Sequence, residues 1–281
     1  MKISIASGKG GTGKTTVAVG LALAAKSAVL IDCDVESPNC HIFLREGFPQ
    51  ISEVFVPVPW VDEAKCTFCG VCARVCMFNA LAVAGRKIIL FERLCHGCGA
   101  CISACPAGAV KEAKRKVGVV EVDSDGELVL VTGRLSIGEA LAVPVIKAAK
   151  SLAPPNGLTF IDCPPGTSCT MVEAVKGSDL CILVTEPTPF GLHDLRMAAD
   201  TLGELEMPAV VVVNRSDGRN ESLKEFCSAR GLRIAAEFPI DRRAAEAYSR
   251  GKHPSLEFED WKHAFEALLN TVVRTTDGKP S

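Results

Sequence analysis

Short, mainly apolar runs separated by longer amphipathic stretches set the pattern of this chain. Val29-Leu30-Ile31 closes on Asp32-Cys33-Asp34, and similar runs recur at Leu158 to Asp162, Leu180 to Thr185, Ala209 to Asn214 and Ile234 to Phe238. Apolar runs of this length without alternation predict strands covered on both faces, as in a parallel sheet. Between them, apolar residues at helical spacing predict helices over Ile137 to Ser151, Met171 to Lys176, Gly191 to Leu205, Glu221 to Arg230 and Phe258 to Val272. Strand, helix and strand in alternation imply right-handed crossovers. The expected fold is α/β, a doubly wound, mostly parallel sheet whose ligands gather at the carboxyl ends of its strands.

The pattern breaks near Pro57. Pro57-Val58-Pro59 reads as a linker, a cysteine-rich block follows, and the basic run Lys111, Lys114, Arg115 and Lys116, read as solvated linker, closes it. Val119 to Thr132 then alternates apolar and polar residues around Ser124-Asp125-Gly126, the signature of a β-hairpin. The expected organisation is a large domain of residues 1–59 and 118–281 with a module of residues 60–117 set into it.

Composition narrows the function classes. With 281 residues, 48% of them hydrophobic, the core is large enough that the 14 cysteines are not needed as staples. A net charge of -2 makes no electrostatic case for nucleic acid. The apolar run Val17 to Ala25 is far short of the roughly 18 residues a membrane helix needs. Met1-Lys2 leads directly into a strand, which leaves no room for a cleaved signal. Eight cysteines fall between positions 66 and 105 in CxxC steps, and the other six (Cys33, Cys40, Cys163, Cys169, Cys181, Cys227) are scattered. Beside a nucleotide site, this points to a reducing cytoplasm rather than a secreted disulfide framework.

The nucleotide site is the stretch Ser7-Gly8-Lys9-Gly10-Gly11-Thr12-Gly13-Lys14-Thr15-Thr16, directly after the apolar run Ile3, Ile5, Ala6. Gly8, four residues, then Gly13-Lys14-Thr15 is a complete phosphate-loop pattern. Its glycines let the backbone curl so that successive N–H groups face phosphates, and a helix N-terminus near Lys14 adds to the anion site. Lys14 is expected to reach the β- and γ-phosphates and the Thr15 hydroxyl to ligate Mg²⁺.

The cysteine block repeats with a period of 29: Cys66, Cys69, Cys72 and Cys76 match Cys95, Cys98, Cys101 and Cys105. Gly70 matches Gly99, and Ala80 matches Ala109. Each half reads CxxCxxCxxxC, the bacterial run for [4Fe–4S] clusters, in which the fourth cysteine serves the other cluster. One cluster would then use Cys66, Cys69, Cys72 and Cys105, the other Cys95, Cys98, Cys101 and Cys76. Zinc is the alternative, but its paired CxxC knuckles have no use for the extra cysteine of each run. The block resembles a two-cluster bacterial ferredoxin over its whole length; Pro106 matches that family's proline after the second run, and Met77 replaces it after the first.

A second lysine, Lys9, just after the first glycine makes the loop similar to that of the deviant Walker A ATPases, the MinD and ParA group that includes the nitrogenase iron protein. The resemblance implies a dimer that sandwiches ATP, with Lys9 reaching into the partner's site and stabilising the transferring phosphoryl as an arginine finger does. It implies that Asp34 orients the attacking water, with Asp32 closing the strand before it. In Asp162-Cys163-Pro164-Pro165-Gly166 it implies that the aspartate holds the Mg²⁺ shell and the glycine senses the γ-phosphate. Asn214, Pro239 and Asp241 fall where relatives contact adenine. Together the two resemblances match the MinD-superfamily ATPases with an inserted ferredoxin domain, which implies ATP, Mg²⁺ and two [4Fe–4S] clusters as cofactors.

Three functions follow as expectations. The first is an ATPase, homodimeric or paired with a paralogue, that couples nucleotide state to electron transfer toward a redox partner. The second is an assembly or carrier factor for iron–sulfur or metal cofactors. Cys169 lies seven residues beyond Asp162, where the nitrogenase iron protein places one of two cluster ligands, but no cysteine between Cys105 and Cys163 supplies the other. Cys169 is therefore read as a small buried side chain. The third is MinD-like positioning, which needs a membrane-binding tail. The stripe Trp261, Phe265, Leu268, Leu269 and Val272 has too few cations beside it to hold anionic lipid stably, and is read as core. His193-Asp194 is read as a hydrogen-bonded helix start.

Overall fold

The computed structural model describes residues 1–44 and 50–277. In chain order the elements are β1 (Lys2–Ala6), α1 (Lys14–Ala25), β2 (Ala28–Asp32), α2 (His41–Leu44), β3 (Gln50–Val61), α3 (Val71–Arg74), β4 (Leu81–Ala84), β5 (Lys87–Leu90), α4 (Ala100–Ser103), β6 (Val110–Asp125), β7 (Leu128–Leu135), α5 (Ala142–Lys150), β8 (Thr159–Asp162) and α6 (Cys169–Val175). There follow β9 (Leu180–Thr185), α7 (Pro189–Glu204), β10 (Ala209–Ser216), α8 (Glu221–Ala229), β11 (Arg233–Pro239), α9 (Arg242–Ser249), α10 (Pro254–Glu257) and α11 (Glu259–Asp277). Two compact units result: Met1–Ile51 with Val120–Arg134 and Ile146–Ser281, and Ser52–Val119 with Leu135–Val145.

In the first unit the strand order is β11-β10-β9-β1-β8-β2-β7, and neighbouring strands run parallel. Every residue of β8 and β9 is buried, which is why their sequences do not alternate. On one face α1 and α11 pack together: Phe265 lies so close to Gly20 that an added Cβ would come within 2.5 Å of its ring. Trp261, Phe265, Leu268 and Val272 are buried in that core, so the stripe on α11 is not a free apolar face. No helix among the described residues is long and apolar enough to cross a membrane.

The 29-residue repeat of the second unit extends to its backbone. Phe68 and Gly97, Gly70 and Gly99, and Asn79 and Gly108 all have positive φ. Gly70 and Gly99 precede α3 and α4, so each half makes the same left-handed turn into a short helix. Cys72, Leu81, Cys101 and Val110 form a small core beside the β4–β5 hairpin.

Several expectations are corrected. Pro57-Val58-Pro59 is not a linker but part of β3, an edge strand. The N–H of Asp62, in phase with Val58 and Trp60, donates to Ala109 beside β6. The two prolines are of the opposite phase, on the side of β3 away from β6 where the ladder requires no N–H, and they line the cavity of Cys76, Cys95, Cys98 and Cys101. Helix α5 starts at Ala142, not Ile137, because Gly138 is left-handed and the Glu139 carboxylate accepts the Ala140 and Leu141 N–H groups. His193-Asp194 lies in the second turn of α7, whose start is fixed by Thr188 as N-cap and Pro189 in the first turn.

Candidate functional site

The loop after β1 is braced at both ends. Gly13, at φ 92°, precedes α1, whose first turn closes with Val17 N–H donating to the Gly13 carbonyl at 3.0 Å. Asn214, at the carboxyl end of β10, donates its amide to the Thr12 carbonyl at 2.8 Å and packs on Gly13, where a Cβ would meet it at 2.2 Å. Gly8 backs on to Asp194 in α7 with equal closeness. The Gly166 N–H donates to the Ser7 carbonyl at 3.0 Å, so the loop after β8 is tied to the phosphate loop.

Three carboxylates lie behind Lys14. Asp162, at the end of β8, accepts the Thr15 hydroxyl on Oδ2 at 2.6 Å, while its Oδ1 is buried without a partner. Asp32, at the end of β2, accepts N–H groups from Asp34, Asn39 and Cys40 at 2.9–3.1 Å and so anchors the loop that carries Asp34. Burial, then the Asp32 charge, pushes the Asp162 carboxyl well above the usual carboxylate range and Asp34 up to about 6. The orphaned oxygen and this excess of negative charge fit a divalent cation.

One open cavity is lined by Gly10, Gly11, Gly13, Lys14, Thr15, Thr16, Asp34, Asn214, Pro239 and Asp241. Gly8, Lys9, Thr12, Asp162 and Gly166 do not line it; Asp162 stands behind Thr15, and Lys9 lies 3.8 Å from Glu186. The far end adds Arg215, Tyr248, Pro254 and Trp261, which the sequence reading missed. The legible signal was Asp241, which caps α9 by accepting the Arg243 N–H at 2.8 Å ahead of an amphipathic run. Arg243, then the Trp261 indole N–H at 3.0 Å, hold the Asp241 carboxyl below the usual range.

The eight block cysteines sort into two cavities. Cys66, Cys69, Cys72 and Cys105 line one, and Cys76, Cys95, Cys98 and Cys101 line the other. Backbone N–H groups point at the sulfurs, from Phe68 to Cys66, Ala80 to Cys76 and Ala109 to Cys105, at 3.3–3.4 Å. Among the described residues no three cysteine sulfurs lie within 4.8 Å of one another. A single zinc with bonds of about 2.3 Å draws its thiolates closer than that. The donor set, four thiols spread around each cavity, fits a larger iron–sulfur group.

Cys169, expected to be buried, is exposed, because it opens α6 at the surface just after Ser168.

Residues 3–254 match the model of the CobQ/CobB/MinD/ParA nucleotide-binding domain. The uncharacterized protein MJ0579 of Methanocaldococcus jannaschii is 30% identical, over 97% of this chain and 98% of its own. A second protein of that organism, MJ0578, is 34% identical over 78% of this chain and 80% of its own. An iron-sulfur cluster carrier protein of Aquifex aeolicus is 26% identical over 41% and 37%. The fold is similar to that of the cell division ATPase MinD of Pyrococcus furiosus, with TM-score 0.60 and 19% identity over 98% of each chain.

Proposed function

The chain belongs to the CobQ/CobB/MinD/ParA nucleotide-binding family, and from that premise we propose that it is an ATP-hydrolysing, dimeric iron–sulfur protein whose nucleotide state governs electron transfer to a partner protein. Residues 60–117 are read as an inserted two-cluster ferredoxin domain within an ATPase domain of residues 1–59 and 118–281. The observation that supports this most is the sorting of the eight cysteines into two crossed sets of four in a chain that also carries a phosphate loop. Cytoplasmic placement is part of the reading, because free thiols of this number need a reducing compartment.

The chain's own groups divide the work. The loop N–H groups and Lys14 hold the triphosphate, and Lys9, released from Glu186, stabilises the transferring phosphoryl across a dimer made with a second copy or a paralogue. The half-buried Asp34 orients the attacking water. Thr15, with Asp162 behind it, would hold Mg²⁺, which offsets charge on the phosphates. Pro239, Asp241, Tyr248 and Trp261 enclose the base. Cys66, Cys69, Cys72 and Cys105, and Cys95, Cys98, Cys101 and Cys76, would hold two [4Fe–4S] clusters that take up and release single electrons.

The test is oxidation of the reduced, cluster-loaded protein by an acceptor protein, followed with and without Mg²⁺ and ATP. The proposal expects ATP to change the transfer rate or the acceptor affinity; equality of both contradicts it. A second reading, a cluster carrier, is supported by the exposure of Cys169 on α6 and by the partial carrier relative. It expects iron beyond about eight per chain, lost in Cys169→Ala.

A further inference from the structure

Cys40 has no part in that reading, yet its thiol is fully buried 3.5 Å from Asp162 Oδ2. One ligand atom each from Asp32, Cys40 and Asp162 lie within 4.8 Å of one another, and no other such trio of histidine, cysteine or carboxylate groups occurs among the described residues. All three residues are closed to water. Asp162 Oδ1 is buried with no hydrogen-bond partner, an open acceptor on the carboxylate that the sulfur contacts through Oδ2. Asp32 is held rigidly by three backbone N–H groups, one of them from Cys40 itself. Two carboxylates and a thiol are thus gathered on a preformed frame before any ion arrives.

We propose that Asp32, Cys40 and Asp162 bind a thiophilic divalent cation, of the Zn²⁺ class, in the nucleotide-free protein, and that this ion excludes Mg²⁺ from Asp162. Mg²⁺ takes hard oxygen donors in near-octahedral geometry and gains nothing from sulfur, whereas zinc accepts sulfur and carboxylate oxygen together. Two carboxylates and one thiolate supply three of the four ligands that a tetrahedral zinc takes. On binding, the Cys40 S–H bond breaks, a sulfur–metal bond forms and the proton leaves to solvent, with no change of oxidation state. The competition with Mg²⁺ rests on the reading of Asp162 as part of the ATPase site; the binding itself does not.

The test is a Zn²⁺ titration of the cluster-loaded full chain without nucleotide, by calorimetry, in wild type, Cys40→Ser and Cys40→Ala, with protein iron measured before and after. Wild type is expected to bind one Zn²⁺ that both variants bind at least about tenfold more weakly, because even outer-shell losses cost about 10–100-fold in affinity. Zn²⁺ is then expected to inhibit ATP hydrolysis at fixed Mg²⁺, with at least about tenfold more needed in the variants. Equal Zn²⁺ binding by the three proteins, or uptake that only replaces iron in all of them, overturns the inference. Absence of hydrolysis by wild type in Mg²⁺ alone overturns the ATPase reading instead, and the difference in binding still decides the metal site.

Discussion

Lys9 and His253 carry the sharpest consequences of single residues. Lys9 does not line its own nucleotide cavity and is half-exposed beside Glu186, as the role proposed for it across a dimer requires. Lys9→Ala is therefore expected to lower kcat for ATP about 10³-fold or more, as loss of a finger residue does. Nucleotide affinity should stay within a few-fold in equilibrium binding; a comparable loss of affinity would make Lys9 a ligand in its own chain. His253 is buried, with Nδ1 accepting the Ser255 N–H at 3.2 Å and Nε2 2.8 Å from the Thr16 carbonyl, so the proton sits on Nε2. Burial holds its pKa at about 4. An unfolded histidine titrates near 6.5, so between about 6.5 and 4 the unfolded chain takes up a proton that the folded chain does not. This stabilising contribution is complete above about 6.5 and falls by up to about 1.4 kcal/mol per pH unit through that window. Urea unfolding of His253→Gln should show a flatter pH dependence than wild type there; identical slopes would contradict the assignment. Nothing in the sequence marked His253, because its environment is made by α1 and α10, some 240 positions apart. Cys169 shows the converse: a sulfur was legible, but its exposure depends on where α6 begins.

Among elements, legibility followed the local strength of the code. β8 to β10 were readable because covered strands are nearly unbroken apolar runs, and the phosphate loop because its glycines and lysines are contiguous. β3 was not, since Pro57 and Pro59 look like punctuation until a partner strand shows which phase they occupy. α9 was missed for its few large apolar residues, and the far wall of the nucleotide cavity was missed with it. The crossed cysteine sets make an element-level prediction. Cys105→Ser removes a ligand from the first run's cavity, although it lies in the second run. Iron should fall from about eight to about four per chain, with the surviving signal lost on further substitution of Cys98 and not of Cys69. Survival that depends on Cys69 would mean that each run serves its own cluster.

At the scale of the whole molecule, the cysteine-bearing segment begins after Asp34 and ends before Asp162 in the chain, so the two acids proposed to act on the nucleotide flank it in sequence. Strands β3, β6 and β7 and helix α5 each pass from one compact unit into the other, which would give the proposed nucleotide-dependent movement of the loops after β2 and β8 a covalent path to the cysteine cavities. The order of parts was legible in the sequence; that the two units share strands was not, because periodicity does not show which strands pair. The central claim is that nucleotide state reaches the clusters. Electron paramagnetic resonance of the anaerobically purified, reduced protein, recorded with and without ATP and Mg²⁺, tests it most directly. Spectra whose positions, relative intensities or midpoint potentials change with nucleotide, and do not change in Lys14→Ala, are the predicted result. Spectra identical with and without nucleotide, in a protein that binds and hydrolyses ATP, would contradict it.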